Sequence, residues 1–179
     1  MLLTTERLLL RPWQEADVND LYFYSRDPDV GPACGWAPHQ SLEESRAVLR
    51  GILSGPECYA LCIKETNKPI GTAELMLRGN TDVTDRADEC ELGYWLGKPY
   101  WGRGYMPEAA AELMRHAFED LNMRAVWCGY HEGNEKSRRV QEKLGFVFHH
   151  AHPVQVLGQE RISRVNGSPG NSGWPGGKG

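Results

Sequence analysis

This 179-residue chain is short of several features that would assign it to large protein classes. No apolar run approaches the roughly 20 residues that a membrane-spanning helix needs, so no membrane partner is expected. Basic residues are not in excess: 20 Lys and Arg stand against 24 Asp and Glu, a formal net charge of −4. That balance argues against a general nucleic-acid binder. The five cysteines (Cys34, Cys58, Cys62, Cys90 and Cys128) include no Cys-x-x-Cys pair, which removes the zinc-ribbon and thioredoxin spacings. Their odd number would also leave a disulfide framework with one thiol over, so buried, reduced thiols in a cytoplasmic protein are expected. No Gly-Lys-Ser or Gly-Lys-Thr triplet exists to close a Walker A loop. Near the N-terminus, Glu6, Arg7 and Arg11 flank Leu8-Leu9-Leu10, which spoils a secretory apolar region and reads as a strand.

What is present is ordinary globular composition, with 40% apolar and 25% charged residues, enough for one domain with a full core. The expected domain is 1–165. Residues 166–179 read NGSPGNSGWPGGKG, too polar and glycine-rich to offset their ordering entropy, and are set aside as a tail. Along the rest, strand and helix signals alternate. Leu8–Pro12 reads as a strand and Gln14–Arg26 as a helix, followed by a loop rich in Pro and Gly up to Pro38. Ser41 and Glu44 suggest a capping box before a helix that places Val48, Leu49, Ile52 and Leu53 on one face. Tyr59–Lys64 and Ile70–Leu77 form a hairpin turning at Asn67-Lys68-Pro69, and Glu89–Leu96 is a further strand. Met106, Ala110, Leu113, Met114, Ala117, Phe118 and Leu121 recur at helical spacing, with Pro107 suited to the first turn. Ala125–Tyr130 reads as a strand and Ser137–Leu144 as a helix ended by Gly145. Phe146–Val165 holds two strands broken near Pro153 and Gly158. The order implies an α/β fold, a mixed sheet with helices on both faces.

The chemistry is concentrated in the second half. Between the strand ending at Leu96 and the helix beginning near Met106, Gly102 and Gly104 allow a tight turn that exposes successive N–H groups. At a helix N-terminus such donors favour a phosphate or pyrophosphate. A dinucleotide-binding fingerprint would need a small residue at position 107, where Pro107 stands. Downstream lies His131-Glu-Gly-Asn134-Glu-Lys-Ser137, then Leu144-Gly145-Phe146. His149, His150 and His152 invite a metal reading, but on a strand His150 and His152 share a face and His149 opposes them. No metal is expected.

Taken in order, these segments resemble the GNAT superfamily of N-acyltransferases, and within it the RimJ/RimL-like branch. The Glu6-Arg7-Leu8-Leu9-Leu10-Arg11-Pro12 opening and Gly93-Tyr94-Trp95-Leu96 running into Tyr100-Trp101-Gly102-Arg103-Gly104-Tyr105 are similar to that branch as well. The likeness covers roughly residues 5 to 150. The family's loop is written Gln/Arg-x-x-Gly-x-Gly/Ala, and here Trp101, Gly104 and Met106 occupy its three defined positions.

The resemblance implies a mostly antiparallel sheet splayed where acetyl-CoA binds. Main-chain groups of Trp95 and Leu96 would pair with the pantetheine arm, and N–H groups of Gly102, Arg103, Gly104, Tyr105 and Met106 would hold the pyrophosphate. Asn134 would contact the cofactor, although it suits a helix N-cap equally well. Lys98, Arg103, Arg138 and Arg139 could meet phosphates or form a solvated basic face. The reaction implied is direct attack of a primary amine on the thioester, the acceptor being a small molecule or a protein N-terminus. Glu91 is the first candidate for the base, on the same strand face as Gly93 and Trp95, with Glu74 and Tyr130 behind it. Ser137 is the candidate proton donor to the thiolate, or else only a residue that begins its helix. Some of Trp13, Tyr22, Tyr24 and Trp36 would line the acceptor pocket. A homodimer is expected by analogy. The competing reading is a non-catalytic acyl-CoA-binding sensor on the same fold.

Overall fold

The computed structural model describes residues 1–168 and 170. They fall into two compact units, Met1–Glu74 with Tyr94–Ala109, and Leu75–Gly93 with Ala110 onwards.

In the first unit, β1 (Leu3–Thr4), β2 (Leu8–Arg11), β3 (Cys58–Ile63) and β4 (Pro69–Met76) pair in sequence as antiparallel neighbours. Leu8, Leu10, Leu61 and Ile70 are completely buried, so the Leu8-Leu9-Leu10 run is core strand. Arg11 at the end of β2 is also buried. It makes a two-pronged ion pair with Asp17, Nη1 to Oδ2 at 2.7 Å and Nη2 to Oδ1 at 3.0 Å. Its Nε donates to Asn67 Oδ1 at 2.9 Å, which ties β2 to the hairpin turn where Asn67 adopts φ +54°.

Helices α1 (Val18–Ser25), the short α2 (Gly31–Cys34) and α3 (Leu42–Arg50) complete this part of the unit. The expected loop thus contains a turn of helix. Ser41 Oγ caps α3 by accepting from Glu44 N at 3.1 Å, while Glu44 reaches back to Gln40 N instead of to the cap residue. Helix α3 stops at Arg50. Ile52, expected on its buried face, is 70% exposed because the chain leaves the α-helical path at Gly51.

The second unit contains the start of β5 (Glu89–Leu96), which runs on into the first unit, followed in space by β6 (Ala125–His131), β8 (Gln159–Gly167) and β7 (Val147–Val156). β5 and β6 are parallel, and β6–β8 and β8–β7 are antiparallel, so the sheet is mixed and mostly antiparallel. Most of helix α4 (Tyr105–Arg115) belongs here, and it passes into a π-helical turn at His116–Asp120. Ala110, Leu113, Met114, Ala117 and Phe118 are all buried, as their spacing required.

Three expectations are corrected. β7 passes through Pro153 unbroken, with Pro153 opposite Ile162. As β7 is an edge strand, paired among the described residues only with β8, a residue without an N–H can be accommodated there. Strand β8 extends past the expected boundary at 165. Asn166 is buried and its amide donates to Gln141 Oε1 at 2.7 Å, while Ser168 N donates to Val126 O at 2.8 Å. The remaining tail, 169 and 171–179, lies outside the described residues. Finally, a register shift between Phe148 and His150 brings His149 Nδ1 within 2.8 Å of His150 Nδ1, so those rings do not oppose each other.

Candidate active site

In the first unit the polypeptide leaves β5 through Gly97, a 3-10 turn at Lys98–Tyr100, and the segment Trp101–Gly104 before α4 begins at Tyr105. Gly102 and Gly104 take left-handed φ values of +72° and +79°, the conformation that their residue type permits at least cost. A Cβ at Gly102 would meet nothing within 4 Å, so space lies open over that turn. The first N–H groups of α4 have no intrahelical carbonyl to bond, which makes this loop a place for an anion. Met106 is 6% exposed, its side chain packed in the core, so its bulk stays off the open side of the loop.

Trp101, where the family motif has Gln or Arg, turns its indole back on the strand: Nε1 donates to Leu96 O at 2.7 Å. Gly97 N donates to Ile70 O at 2.8 Å, and the Trp95 carbonyl lies against the position a Cβ would take at Gly71. Main-chain groups alternate sides along a strand. Trp95 therefore turns its carbonyl towards β4, whereas Leu96 presents its own to the opposite edge.

Of the expected basic residues, Lys98 is paired with Asp29. Arg138 is paired with Glu135 at 2.6 Å and Glu142 at 3.2 Å. Arg103 stacks its guanidinium over Tyr100, 5.9 Å from the ring centroid. Trp95 also stands at the centre of an aromatic cluster. Trp13 stacks on it at 6.4 Å and Trp36 meets it edge-on at 5.8 Å, with Trp13 Nε1 donating to Thr72 Oγ1 at 3.0 Å. Trp13 and Trp36 are half-buried. Glu74 is half-buried on the strand face that also carries Thr72, opposite Cys58, whose thiol is pushed up to about 12 mainly by burial.

In the second unit the parallel ladder joins Glu89, Cys90 and Glu91 to Ala125, Val126 and Trp127. β6 then continues to His131 against β8. Glu91 sits at the last paired position. Its Oε1 lies 3.9 Å from the site of a Cβ at Gly129, and its Oε2 accepts the Thr81 hydroxyl at 2.5 Å. Burial pushes the Glu91 carboxyl above its ordinary range and the Asp82 charge adds to this, while the Thr81 hydrogen bond acts in the other direction.

Asn134 caps α5 (Glu135–Lys143), its Oδ1 accepting from Ser137 N at 3.2 Å. Ser137 Oγ in turn accepts from the buried Gln141 amide at 3.2 Å, which also donates to Gly129 O at 3.3 Å. Because Ser137 Oγ accepts from Gln141, its own O–H is directed elsewhere. Tyr130 is half-buried and next to last in β6.

Three participants were not apparent beforehand. Arg7 contacts the loop from a position 96 residues away. Gln141 supports Ser137, and its only sequence signal is a polar residue on the buried stripe of an otherwise charged helix. His131, at the end of β6, has a buried Nδ1 without a hydrogen-bond partner among the described residues, and burial and the Arg161 charge lower its pKa.

Among the described residues no group of three or more His, Cys, Asp and Glu side chains is placed to hold a metal, and no helix is long and apolar enough to cross a membrane. The five cysteines are free and four are buried. Cys34 is the exposed one, although its sulfur is tucked 3.8 Å from the Tyr94 carbonyl and burial raises its pKa to about 11.

A family model described as an acetyltransferase (GNAT) domain matches residues 7–147. An uncharacterized N-acetyltransferase, p20, of Bacillus licheniformis is 29% identical over 149 residues, covering 80% of this chain and 81% of that protein. Among solved structures, a GNAT-family acetyltransferase from Bacillus anthracis superposes with a TM-score of 0.82 at 19% identity, over 93% of this chain and 97% of that one. A ribosomal-protein-S5-alanine acetyltransferase from Vibrio fischeri gives 0.74 at 21% identity, over 97% and 98% of the two chains.

Proposed function

Because the chain belongs to the GNAT acetyltransferase family, we propose that it transfers an acetyl group from acetyl-CoA to a primary amine, as an enzyme of the RimJ/RimL-like kind. The observation that carries this reading is the loop at the start of α4, where two left-handed glycines open a helix N-terminus to solvent. That donor set fits a pyrophosphate. Residues 102–106 would hold it through main-chain N–H groups, and Leu96 would offer main-chain pairing to the pantetheine arm. The Trp95 carbonyl is turned towards Gly71, so the arm would depend on Leu96 more than on Trp95. Asn134 keeps its carbonyl on the helix cap, so any contact with the cofactor would use its amide group.

When bound, acetyl-CoA supplies an activated acetyl thioester. An alkyl amine arrives mostly as ammonium at neutral pH and must lose a proton before its nitrogen can form the new N–C bond. Glu91 is the group proposed to take that proton, because a carboxylate with a raised pKa is a better base than an ordinary one. Ser137, its oxygen held by Gln141, would give its hydroxyl proton to the thiolate as the C–S bond breaks and take in exchange the surplus proton left on the new amide nitrogen. No acyl-enzyme is required. Trp13, Trp36 and Trp95 offer flat apolar surface for the body of the acceptor. The acceptor would be a small amine or a protein N-terminal amine; the name of the Vibrio fischeri protein gives an alanine of ribosomal protein S5 as that protein's own acceptor.

Calorimetric titration with acetyl-CoA, with ATP and NAD as controls, tests the reading. Micromolar binding of acetyl-CoA alone is the expected result, and a folded protein that binds none of the three would overturn it. The sensor alternative is separated by Glu91→Ala. An enzyme loses turnover in a screen of amines while keeping CoA affinity, whereas a sensor shows no turnover even as wild type.

A further inference from the structure

We propose that Arg7 is a positioning residue for the phosphate-binding loop, fixing the backbone of residues 102–106 in its anion-binding shape. The inference rests on the acetyl-CoA reading given above, and it assigns a role to the Glu6-Arg7-Leu8 opening that the catalytic scheme leaves unused.

Arg7 stands just before β2 and reaches the start of α4 through its main-chain N, Nε and Nη1. Its Nε donates to Glu108 Oε2 at 2.7 Å, and its main-chain N donates to Glu108 Oε1 at 2.8 Å. The Thr5 hydroxyl donates to the same Oε1 at 2.5 Å. Nη1 donates to the Arg103 carbonyl at 3.0 Å, and the guanidinium lies over the Tyr105 ring, 4.3 Å from its centroid. A Cβ at Gly104 would come within 3.3 Å of Nη2. One side chain therefore bonds Arg103 and Glu108, lies over Tyr105 and borders the space beside Gly104.

The contact with Arg103 has a geometric consequence. In a planar trans peptide the C=O and the following N–H point in opposite directions. Drawing the Arg103 carbonyl towards Arg7 therefore aims the Gly104 N–H to the other side of the loop, where it can donate to a phosphate oxygen. A cation beside a helix N-terminus is disfavoured by the macrodipole, and Glu108 in the first turn offsets that cost. The fork is essential to the arrangement. A lysine could keep the charge but could not bond the Glu108 carboxylate and the Arg103 carbonyl from fixed, divergent positions.

The test compares wild type, Arg7→Lys, Glu108→Arg and the charge-exchanged double variant Arg7→Glu/Glu108→Arg. CoA affinity is read by calorimetry, S-acetylpantetheine binding by ligand-observed NMR, and Tm by scanning calorimetry. In Arg7→Lys, CoA affinity should fall by about tenfold or more, equivalent to one lost charge-assisted hydrogen bond. S-acetylpantetheine, which has no phosphates, should bind as it does to wild type. The double variant should recover Tm relative to Glu108→Arg alone but not CoA affinity, because a glutamate has no donor for the Arg103 carbonyl. If folded Arg7→Lys binds CoA as tightly as wild type, or loses both ligands equally, the positioning role is overturned while the acetyl-CoA reading stands. If wild type itself fails to bind CoA, that reading falls and takes this inference with it.

Discussion

Thr81 donates its hydroxyl to Glu91 Oε2, while the other oxygen of the same carboxylate faces Gly129 on the neighbouring strand. A half-buried acid held in this way titrates above its usual range, with burial as the main cause. The folded protein therefore binds the Glu91 proton more tightly than the unfolded chain does. That contribution to stability is complete below the unfolded pKa and is lost as pH rises through the folded one. Ionising the carboxylate works against its environment, so Glu91→Gln should raise Tm at pH values above the folded pKa, with the gain shrinking towards acid. The same variant should lower kcat by about 10²–10⁴ and leave CoA affinity close to wild type. In wild type, kcat/KM should rise with pH along a limb placed above that of an ordinary glutamate. Unchanged turnover in Glu91→Gln would remove it as the base.

The two loop glycines should respond differently to substitution. Gly102→Ala meets open space and only the left-handed φ opposes it, at a cost of about 1 kcal/mol. Gly104→Val adds β-branching at φ +79° and sets a side chain against Arg7. CoA affinity measured by calorimetry should fall much further in Gly104→Val than in Gly102→Ala. Unaltered CoA affinity in folded Gly104→Val would show that the phosphates bind elsewhere.

Arg11 and Asp17 form a buried pair, each side chain only 8% exposed. Asp17→Asn removes one charge and leaves the guanidinium buried without its counter-ion, a change that should destabilise the protein by about 3–5 kcal/mol. Urea denaturation measures it directly. A loss below about 1 kcal/mol would mean that the carbonyls of Pro12 and Asn67, which also accept from Arg11, suffice.

Asn166 lies in the segment that composition alone assigned to a tail. Asn166→Ala deprives the buried Gln141 Oε1 of its donor and should cost about 1–3 kcal/mol. It should also loosen Gln141's hold on Ser137 and lower kcat. A neutral result in both measurements would mean that Asn166 is not part of the support for Ser137.

Local chemistry was enough to read many elements from the sequence. The alternation of Leu8 and Leu10, the spacing from Met106 to Phe118, and Gly102 and Gly104 ahead of a helix each report on residues a few positions apart. The order of those motifs was also enough to bring the chain to the GNAT family, and the family model over 7–147 agrees. Where the reading erred, a distant partner decided the outcome. Pro153 stays in a strand because β7 is an edge, and Asn166 is folded because Gln141 lies across from it.

The sequence by itself thus determined the class of fold, the position of the glycine turn ahead of α4 and the short list of acids proposed as base. Periodicity and glycine placement are properties of neighbouring residues, and they survive without knowledge of the rest of the chain. Only the tertiary structure decided which groups act on that loop and on those acids. The carbonyl of Arg103 is turned by an arginine 96 residues earlier, the indole of Trp101 bonds the Leu96 carbonyl, and the Glu91 carboxyl is raised by its burial. Hydrogen-bond direction and desolvation depend on what lies within a few ångströms in space, and one sequence does not report which distant residues those will be.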